Sequence, residues 1–167
     1  MPYVLRFLID NSIVGCNWVE CPAGTWKMRR GHGQKQGRCQ IELDIVYTQL
    51  VSHKPEGEWM KIAPLRILSF DIECMGRKGH FPEAEKDPII QIANTVTVQG
   101  ETKPRSKTIF VLDDTTDIVG VRVDVSHDEK DLLARWTQYV VEADVDLLTG
   151  YNIQNFDLPY ILNRAKA

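Results

Sequence analysis

The stretch Arg66-Ile-Leu-Ser-Phe-Asp-Ile-Glu-Cys74 is an apolar run that ends in two acidic residues, two positions apart. Side chains alternate between the two faces of a β-strand, so Asp71 and Glu73 are predicted to share one face, opposite Phe70 and Ile72. Two carboxylates side by side repel each other, and a divalent metal held by oxygen ligands relieves that repulsion. The alternative is that the acidic end of the strand simply lies in water. The pattern therefore predicts a strand and leaves two explanations for its acids.

The composition is that of an ordinary globular protein with one domain, or one domain and part of another. Of the 167 residues, 43% are hydrophobic and 26% are charged. No apolar run approaches the ~20 residues of a membrane helix, so no membrane partner is expected. The net charge of -3 argues against a generally basic nucleic-acid coat. It does not exclude a nucleic-acid enzyme whose metal ions supply positive charge locally. The cysteine spacing has no Cys-x-x-Cys pair and does not indicate a zinc site.

Residues 1–62 are expected to form a β-rich leader. Two short apolar runs, Tyr3 to Ile9 and Ile13 to Val19, flank turn-forming residues and predict a β-hairpin. Alternating apolar residues predict a third strand from Cys39 to Thr48. The loop from Lys27 to Arg38 contains five lysines and arginines and no acid. Two interpretations stay open for it, namely contact with a phosphate backbone or a solvated, mobile loop.

The order of predicted strands and helices in residues 63–167 indicates an α/β domain with a mixed sheet and flanking helices. A polar linker containing proline and glycine places the boundary near residue 62. The Ser-x-x-Glu pattern of Ser126 to Glu129 indicates a capping box at the start of an amphipathic helix that reaches Ala143. The predicted strands are Ile67 to Glu73, Ile89 to Val98, Thr108 to Leu112 and Val145 to Thr149, and a last helix runs from Leu158 to Ala165.

Asp157 is a third candidate carboxylate, at the junction between the last strand and the last helix. An acid in the first turn of a helix can simply cap it. In α/β sheets, however, functional groups gather beyond strand ends. If the strand of Leu147 lies beside the strand of Asp71, Asp157 lands near the first two acids. Three converging carboxylates would place two metal ions ~4 Å apart, which suits phosphodiester hydrolysis.

Two segments together resemble the first two exonuclease motifs of family B DNA polymerases. They are Phe70-Asp-Ile-Glu73 and Tyr151-Asn-Ile-Gln-Asn-Phe-Asp157. The resemblance extends over essentially the whole chain, including Asp71 to Glu83, Asp87 to Ile92, Gly150 to Tyr160 and, in the leader, Met1 to Trp18 and Ile62 to Pro64. It implies a truncated ribonuclease H-like exonuclease domain, preceded by a small β-rich N-terminal segment. On this basis residues 1–62 belong to the polymerase N-terminal domain, and residues 63–167 begin the 3′–5′ exonuclease domain.

The resemblance also implies roles for individual residues. The catalytic residues and metal ligands are Asp71, Glu73 and Asp157, which would hold two Mg²⁺ ions, with Mn²⁺ able to substitute. The substrate-binding residues are Phe70, Asn155 and Phe156, of which the last two would lie against the terminal nucleotides and Phe70 would chiefly pack. Related exonucleases take a fourth carboxylate and a tyrosine from a Tyr-x-x-x-Asp motif. Here Tyr160-Ile-Leu-Asn-Arg164 has arginine where the aspartate is needed.

The implied function is that of a fragment of a nuclear, replicative DNA-directed DNA polymerase with a proofreading 3′–5′ exonuclease. Its partners would be DNA, as the single-stranded 3′ end of a primer, together with accessory subunits and a sliding clamp. An iron–sulfur cluster is expected only in a C-terminal region outside this chain, and the fragment alone is expected to be inactive. Two alternatives stay open: a non-catalytic DNA-binding or scaffolding module of exonuclease fold, and a stand-alone ribonuclease H-like nuclease.

Overall fold

The structure, a computed structural model, describes residues 1–31 and 33–167 and divides into two compact units. The first is Met1–Lys61 and the second is Ile62–Ala167. The assignment of these units to two polymerase domains stays a prediction. His32, inside the predicted basic loop, lies outside the described residues. Among the helices described, none has both the length and the apolar character needed to span a membrane.

The first unit begins with a helix, α1 (Tyr3–Asp10), so the predicted N-terminal hairpin is wrong. Its apolar residues also recur at helical spacing, and Arg6 forms an ion pair with Asp10 one turn later, at 2.7 Å. The turn-forming residues end the helix instead of joining two strands. The Asn11 side chain donates to the Phe7 carbonyl at 2.8 Å, and Ser12 has a φ of 53°.

Four short strands complete this unit as two separate two-stranded antiparallel sheets. They are β1 (Val19–Glu20), β2 (Trp26–Met28), β3 (Leu43–Ile45) and β4 (Val51–Ser52), with β1 paired to β4 and β2 to β3. The predicted strand from Cys39 to Thr48 is therefore reduced to its centre. Its last residues turn into a short 3-10 helix at Tyr47–Gln49, which removes them from the pairing.

The second unit is built on one five-stranded mixed sheet. Its strands are β5 (Arg66–Cys74), β6 (Ile89–Val98), β7 (Ser106–Leu112), β8 (Arg122–Ser126) and β9 (Leu147–Thr149), in the order β8-β7-β6-β5-β9. Strands β5, β6 and β7 form an antiparallel meander, while β8 joins β7 and β9 joins β5 in parallel. Strand β8 was not predicted, because Arg122 and Asp124 interrupt its short apolar pattern. The predicted α/β class with a mixed sheet is confirmed at this level.

Two helices, α2 (Glu129–Ala143) and α3 (Asp157–Arg164), pack on one face of this sheet. The capping box expected at Ser126 does not form, because Ser126 is the buried last residue of β8. Asp128 caps α2 instead, accepting a bond from the Asp131 backbone N–H at 2.8 Å. The carboxylate of Glu129 accepts a bond from the Ile89 N–H at 2.8 Å, which ties α2 to the start of β6.

The core lies between these helices and one face of β5. Phe70 and Ile72 point into it, and Phe70 packs against Trp136 of α2 with ring centroids 5.4 Å apart. The Trp136 indole N–H donates to the buried side-chain oxygen of Asn94 at 2.9 Å. Because side chains alternate along β5, this burial leaves the opposite face for its polar residues.

Candidate functional site

The exposed face of β5 carries two acidic side chains. Asp71 and Glu73 are exposed, and they alternate with Phe70 and Ile72, which are buried. Asp71 lies opposite Ala93 of β6, whose small side chain takes up little of the sheet surface. A pocket of about 320 Å³ opens at this point, lined by Asp71, Ala93 and other residues of β5, β6 and the turn after β9. Strand β5 therefore presents its first carboxylate at a concave surface.

The end of β9 brings the rest of the chain to the same place. The parallel pairing of β5 with β9 ends at Ser69 and Thr149, and Gly150 follows immediately. A Cβ at Gly150 would collide with the Phe70 carbonyl oxygen and with the Ile153 side chain. Only glycine allows the backbone to pass this close to β5. The turn after β9 therefore delivers α3 directly beside the strand that carries Asp71.

Asp157 is the first residue of α3, and its side chain is buried at the edge of β5. It is 1% exposed, and its Oδ1 accepts a hydrogen bond from the Ile72 backbone N–H at 3.1 Å. Burial raises the pKa of Asp157, and the neighbouring carboxylate of Asp71 adds to that rise. The Ile72 N–H opposes it by stabilising the ionised form. Helix capping alone does not account for this position of Asp157. Its carboxylate lies next to that of Asp71, which belongs to strand β5.

Glu73 lies on the same exposed face of β5 as Asp71. Glu73 keeps its pairing with Gln91, and the register of β5 against β6 shifts only after it, between Glu73 and Cys74. Within residues 1–31 and 33–167, no three acidic, histidine or cysteine side chains are arranged to hold one metal ion. The structure thus places Asp157 beside Asp71, and the role of all three acids as metal ligands stays a prediction.

The pair formed by Asp71 and Asp157 fits part of a divalent-metal site. Both offer carboxylate oxygens, the donors that Mg²⁺ prefers. Their mutual repulsion, which contributes to the raised pKa of Asp157, is the condition that a cation relieves. A site for two metal ions would need more oxygen donors than these two carboxylates provide.

The predicted substrate-binding residues have different surroundings. Phe70 is 2% exposed, so its side chain has no surface for a nucleotide, and packing is the role that the structure supports. Phe156 is half-buried, with its ring 5.5 Å from that of Phe81 and 5.4 Å from that of Tyr160. Asn155 is exposed, and its side chain donates to the Asn152 side-chain oxygen at 2.9 Å. Of the three, Asn155 and Phe156 have surface available to a ligand.

Phe81 is a candidate that the sequence analysis missed. It is 76% exposed, although its ring packs edge-on against Phe156. It belongs to the loop between β5 and β6, residues 75–88, which the sequence marks only by glycine, proline and mixed charge. Phe81 lies between Gly79 and Pro82, two residues that interrupt regular secondary structure, and this could have suggested an exposed position. No periodicity in the sequence indicated that its ring would contact α3.

This loop is held by a buried acid. Asp87 is 1% exposed and accepts hydrogen bonds from Arg77 Nε at 2.9 Å and from the Glu83 backbone N–H at 2.8 Å. These bonds lower the pKa of Asp87, the bond from Glu83 most and the one from Arg77 next. The Tyr160 hydroxyl donates to the Asp87 carbonyl at 2.7 Å, so the loop is fastened to α3 as well. Phe81 is therefore presented by a braced segment.

Arg164, which occupies the position where a Tyr-x-x-x-Asp motif would need its aspartate, has a structural role here. Its guanidinium forms an ion pair with Glu129 of α2, with Nε 2.8 Å from Oε1, and also donates to the Ala84 carbonyl at 3.0 Å. It therefore joins α3 to α2 and to the loop between β5 and β6. It supplies no metal ligand.

Comparison with known proteins found relatives that match essentially the whole chain. The family described as DNA polymerase family B, exonuclease domain, matches residues 1–167. The DNA polymerase delta catalytic subunit of Drosophila melanogaster is 53% identical over 163 residues, which are 96% of this chain and 15% of that protein. The corresponding subunit of Candida albicans is 50% identical over 165 residues, 99% of this chain and 16% of that protein. The chain thus spans about 15% of the length of these relatives.

A solved structure gives the same result at the level of the fold. The family B DNA polymerase from the hyperthermophilic archaeon Pyrobaculum calidifontis superimposes with a TM-score of 0.68 at 26% sequence identity. The match covers 100% of this chain and 18% of that one.

Proposed function

Because this chain belongs to the exonuclease domain family of family B DNA polymerases, we propose that it forms the first part of a proofreading 3′–5′ exonuclease. It would serve a longer, delta-type replicative polymerase, a nuclear enzyme that works with accessory subunits and a sliding clamp. The observation that carries the proposal is the burial of Asp157 against the Ile72 N–H beside Asp71. A capping aspartate would not need to lie next to a second carboxylate on a neighbouring strand.

The chain's own contribution to the reaction is to hold carboxylates in a fixed place. Asp71 is fixed by the pairing of β5 with β6, and Asp157 is fixed by its bond to Ile72. Two bound Mg²⁺ ions would supply an activated water and stabilise the leaving oxygen of the phosphodiester. Glu73 would complete the ligand set of this chain once its side chain turns toward the pair, and the fourth acid would come from outside residues 1–167.

The aromatic surface beside the carboxylates fits an unpaired DNA end. Phe81 and Phe156 offer ring surface on which a base can stack, and Asn155 offers an amide for hydrogen bonds. A mispaired primer end unpairs at lower cost than a matched one, so it would reach this surface more often. That difference would give the exonuclease its preference for errors.

The test is a separation of two activities in the full-length protein that contains this chain. Asp71→Asn should slow the removal of a mismatched 3′ nucleotide by about a hundredfold or more, because even outer-shell partners of metal ligands cost 10–100-fold. Nucleotide incorporation at a matched end should stay within about twofold of the parent. The matched control is Asp117→Asn, the same change at an exposed acid in the loop between β7 and β8.

Two results would count against the proposal. Equal losses of excision and incorporation would make Asp71 a structural residue. Unchanged excision in both Asp71→Asn and Asp157→Asn would favour the non-catalytic, DNA-binding module.

A further inference from the structure

Three aromatic rings lie in a row between the loop that joins β5 to β6 and the start of α3. Phe81 of that loop packs against Phe156, with ring centroids 5.5 Å apart, and Phe156 packs against Tyr160 of α3 at 5.4 Å. We call Phe81, Phe156 and Tyr160 the aromatic row. Phe156 immediately precedes Asp157 in the chain, so the aromatic row adjoins a candidate metal ligand. The position of Phe81, by contrast, depends on its loop.

Burial does not hold Phe81 in place, because its side chain is 76% exposed. Residues 75–88, all of which the structure describes, contain neither a helix nor a strand. Fixing an irregular segment costs conformational entropy, which other contacts must offset. An exposed ring on such a segment therefore keeps one position only if specific bonds order the loop around it.

The carboxylate of Asp87 supplies such bonds within the loop. It is buried, and it accepts hydrogen bonds from Arg77 Nε at 2.9 Å and from the Glu83 backbone N–H at 2.8 Å. Arg77 precedes Phe81 in the chain and Glu83 follows it, so one carboxylate joins the two arms of the loop on either side of the ring. The Arg77 guanidinium also forms an ion pair with the Glu83 side chain, at 3.1 Å. Together these contacts close the loop around Phe81.

The backbone carbonyl of Asp87 makes a second connection, to α3. It accepts a hydrogen bond from the Tyr160 hydroxyl at 2.7 Å. Burial raises the pKa of Tyr160, so this hydroxyl keeps its proton and remains a donor. Asp87 is therefore bonded through its carboxylate to the segment that carries Phe81, and through its carbonyl to the side chain that packs against Phe156.

We propose that Asp87 and Tyr160 are positioning residues for excision, which hold Phe81 and Phe156 where an unpaired terminal base can stack. This inference rests on the proposed nuclease function, because it concerns the substrate of the same site. Both side chains are buried, so they act through the rings and not on the nucleotide itself. A base stacked on two fixed rings would present its phosphodiester to the candidate metal ligands in one orientation.

The test measures the removal of a mismatched 3′ nucleotide by the full-length protein that contains this chain, at varied substrate concentration. Tyr160→Phe removes the hydroxyl and keeps the ring. It should raise KM about fivefold, the factor that corresponds to one ordinary hydrogen bond, and should leave kcat within about twofold of the parent. The matched control is Tyr139→Phe, the same change at a half-buried tyrosine of α2 whose hydroxyl lies 3.4 Å from Ser106 Oγ. This control should excise like the parent.

The double variant Tyr160→Phe/Phe81→Ala distinguishes positioning from a general effect on the fold. Phe81→Ala alone should raise KM about tenfold, because it removes a stacking surface. If Tyr160 acts through Phe81, the double variant should also lose about tenfold, and not the roughly fiftyfold that independent effects would give. Asp87→Asn, which weakens the bonds of the carboxylate, should show the same rise of KM and the same lack of additivity with Phe81→Ala. Circular dichroism identifies a variant that fails to fold, and Tyr160→Phe then decides the matter.

Three results would overturn this inference. A lower kcat with an unchanged KM in Tyr160→Phe would mean that its hydroxyl supports the metal ligands through α3. Additive losses in the double variant would show that Tyr160 does not act through Phe81. Excision at the level of the parent in both Tyr160→Phe and Asp87→Asn would show that neither residue positions the substrate.

Asp71→Asn, measured in the same assay, separates failure of this inference from failure of the proposed function. If Asp71→Asn abolishes excision while Tyr160→Phe and Asp87→Asn match the parent, the positioning role alone is wrong. If Asp71→Asn excises as the parent does, the proposed function is wrong, and the positioning role fails with it.

Discussion

At the scale of single residues, two positions decide whether the site forms: one in the turn after β9 and one at the start of α3. Gly150 lets the backbone pass the Phe70 carbonyl, and Asp157 then reaches the Ile72 N–H. The sequence pattern predicted that Asp157 would approach Asp71 if the two strands were neighbours. It gave no means of seeing that Gly150 is sterically required, because this requirement depends on a contact with a residue 80 positions earlier in the chain.

Gly150→Ala tests that steric requirement. The added methyl group meets backbone, which cannot rotate away, so we expect the free energy of unfolding to fall by about 1–3 kcal/mol or more. Denaturant unfolding followed by circular dichroism measures the change. Gly15→Ala is the matched control, because a Cβ at Gly15 has no neighbour within 4 Å. An unchanged midpoint for Gly150→Ala would mean that the turn can shift freely.

Asp87→Asn tests the buried acid that braces the loop before β6. Its pKa is lowered in the folded protein from an ordinary value of 3.8, so its contribution to stability is complete above that value. The contribution is lost as the pH falls through the lower, folded pKa. The stability difference between parent and variant should therefore be constant from about pH 7 to 5 and should shrink below about pH 4. A difference that stays constant down to pH 3 would contradict this role for the ionised carboxylate.

At the scale of elements, the sequence predicted those whose periodicity was long and unambiguous. Strand β6 was predicted with its observed bounds, and α2 was predicted through its apolar spacing. Short segments were less predictable. Over only eight positions, the apolar residues of α1 fit both the helical and the strand period. Strand β9 begins two residues later than predicted, and the side chain of Asp146, just before it, accepts a bond from the Arg66 N–H at 2.7 Å. A tertiary contact, which a single sequence does not display, therefore bears on the start of β9, whereas the contacts of α1 are local.

The ion pair of Arg164 with Glu129 is a test at this scale, because it joins α2 to α3. The two side chains are only 16% and 15% exposed, so removing one partner leaves the other poorly solvated. Each single change, Arg164→Gln or Glu129→Gln, should lower the free energy of unfolding by about 2–3 kcal/mol, and the double variant by less than the sum.

The control for this double-mutant cycle is the exposed pair of Arg105 with Glu101, four residues apart. Its coupling energy should be about 0.5 kcal/mol or less, because solvent screens it. Similar coupling energies in the two cycles would show that burial between the helices adds nothing to the Arg164 pair.

At the scale of the whole molecule, the two motifs considered together predicted that Asp71 and Asp157 would lie close to each other. Neither motif predicted this by itself. Asp71 and Asp157 are 86 positions apart, and the parallel pairing of β5 with β9 brings them together. Glu73 was predicted from the same alternation and lies on the same exposed face of β5, and the register of β5 against β6 shifts just after it. A period-two pattern cannot reveal such a shift, since it arises from the partner strand.

The isolated 167-residue chain should be inactive as a nuclease, because its described acids do not complete a metal site. With Mg²⁺ or Mn²⁺ present, release of nucleotides from a labelled single strand should stay at the level of a chain carrying Asp71→Asn. The full-length protein provides the positive control under the same conditions. Metal-dependent cleavage by the isolated chain that disappears in Asp71→Asn would contradict this expectation.

The bond from the Ile72 N–H to Asp157 has a practical consequence for spectroscopy. This amide ends on a carboxylate instead of a strand carbonyl, so its proton senses the charge of that carboxylate directly. In a ¹⁵N-labelled sample its chemical shift should move when Asp157 takes up a proton or a cation, while the amides of neighbouring β5 residues shift less. One resonance in the centre of the sheet can thus record occupancy of the site in solution, without any substrate and without any turnover.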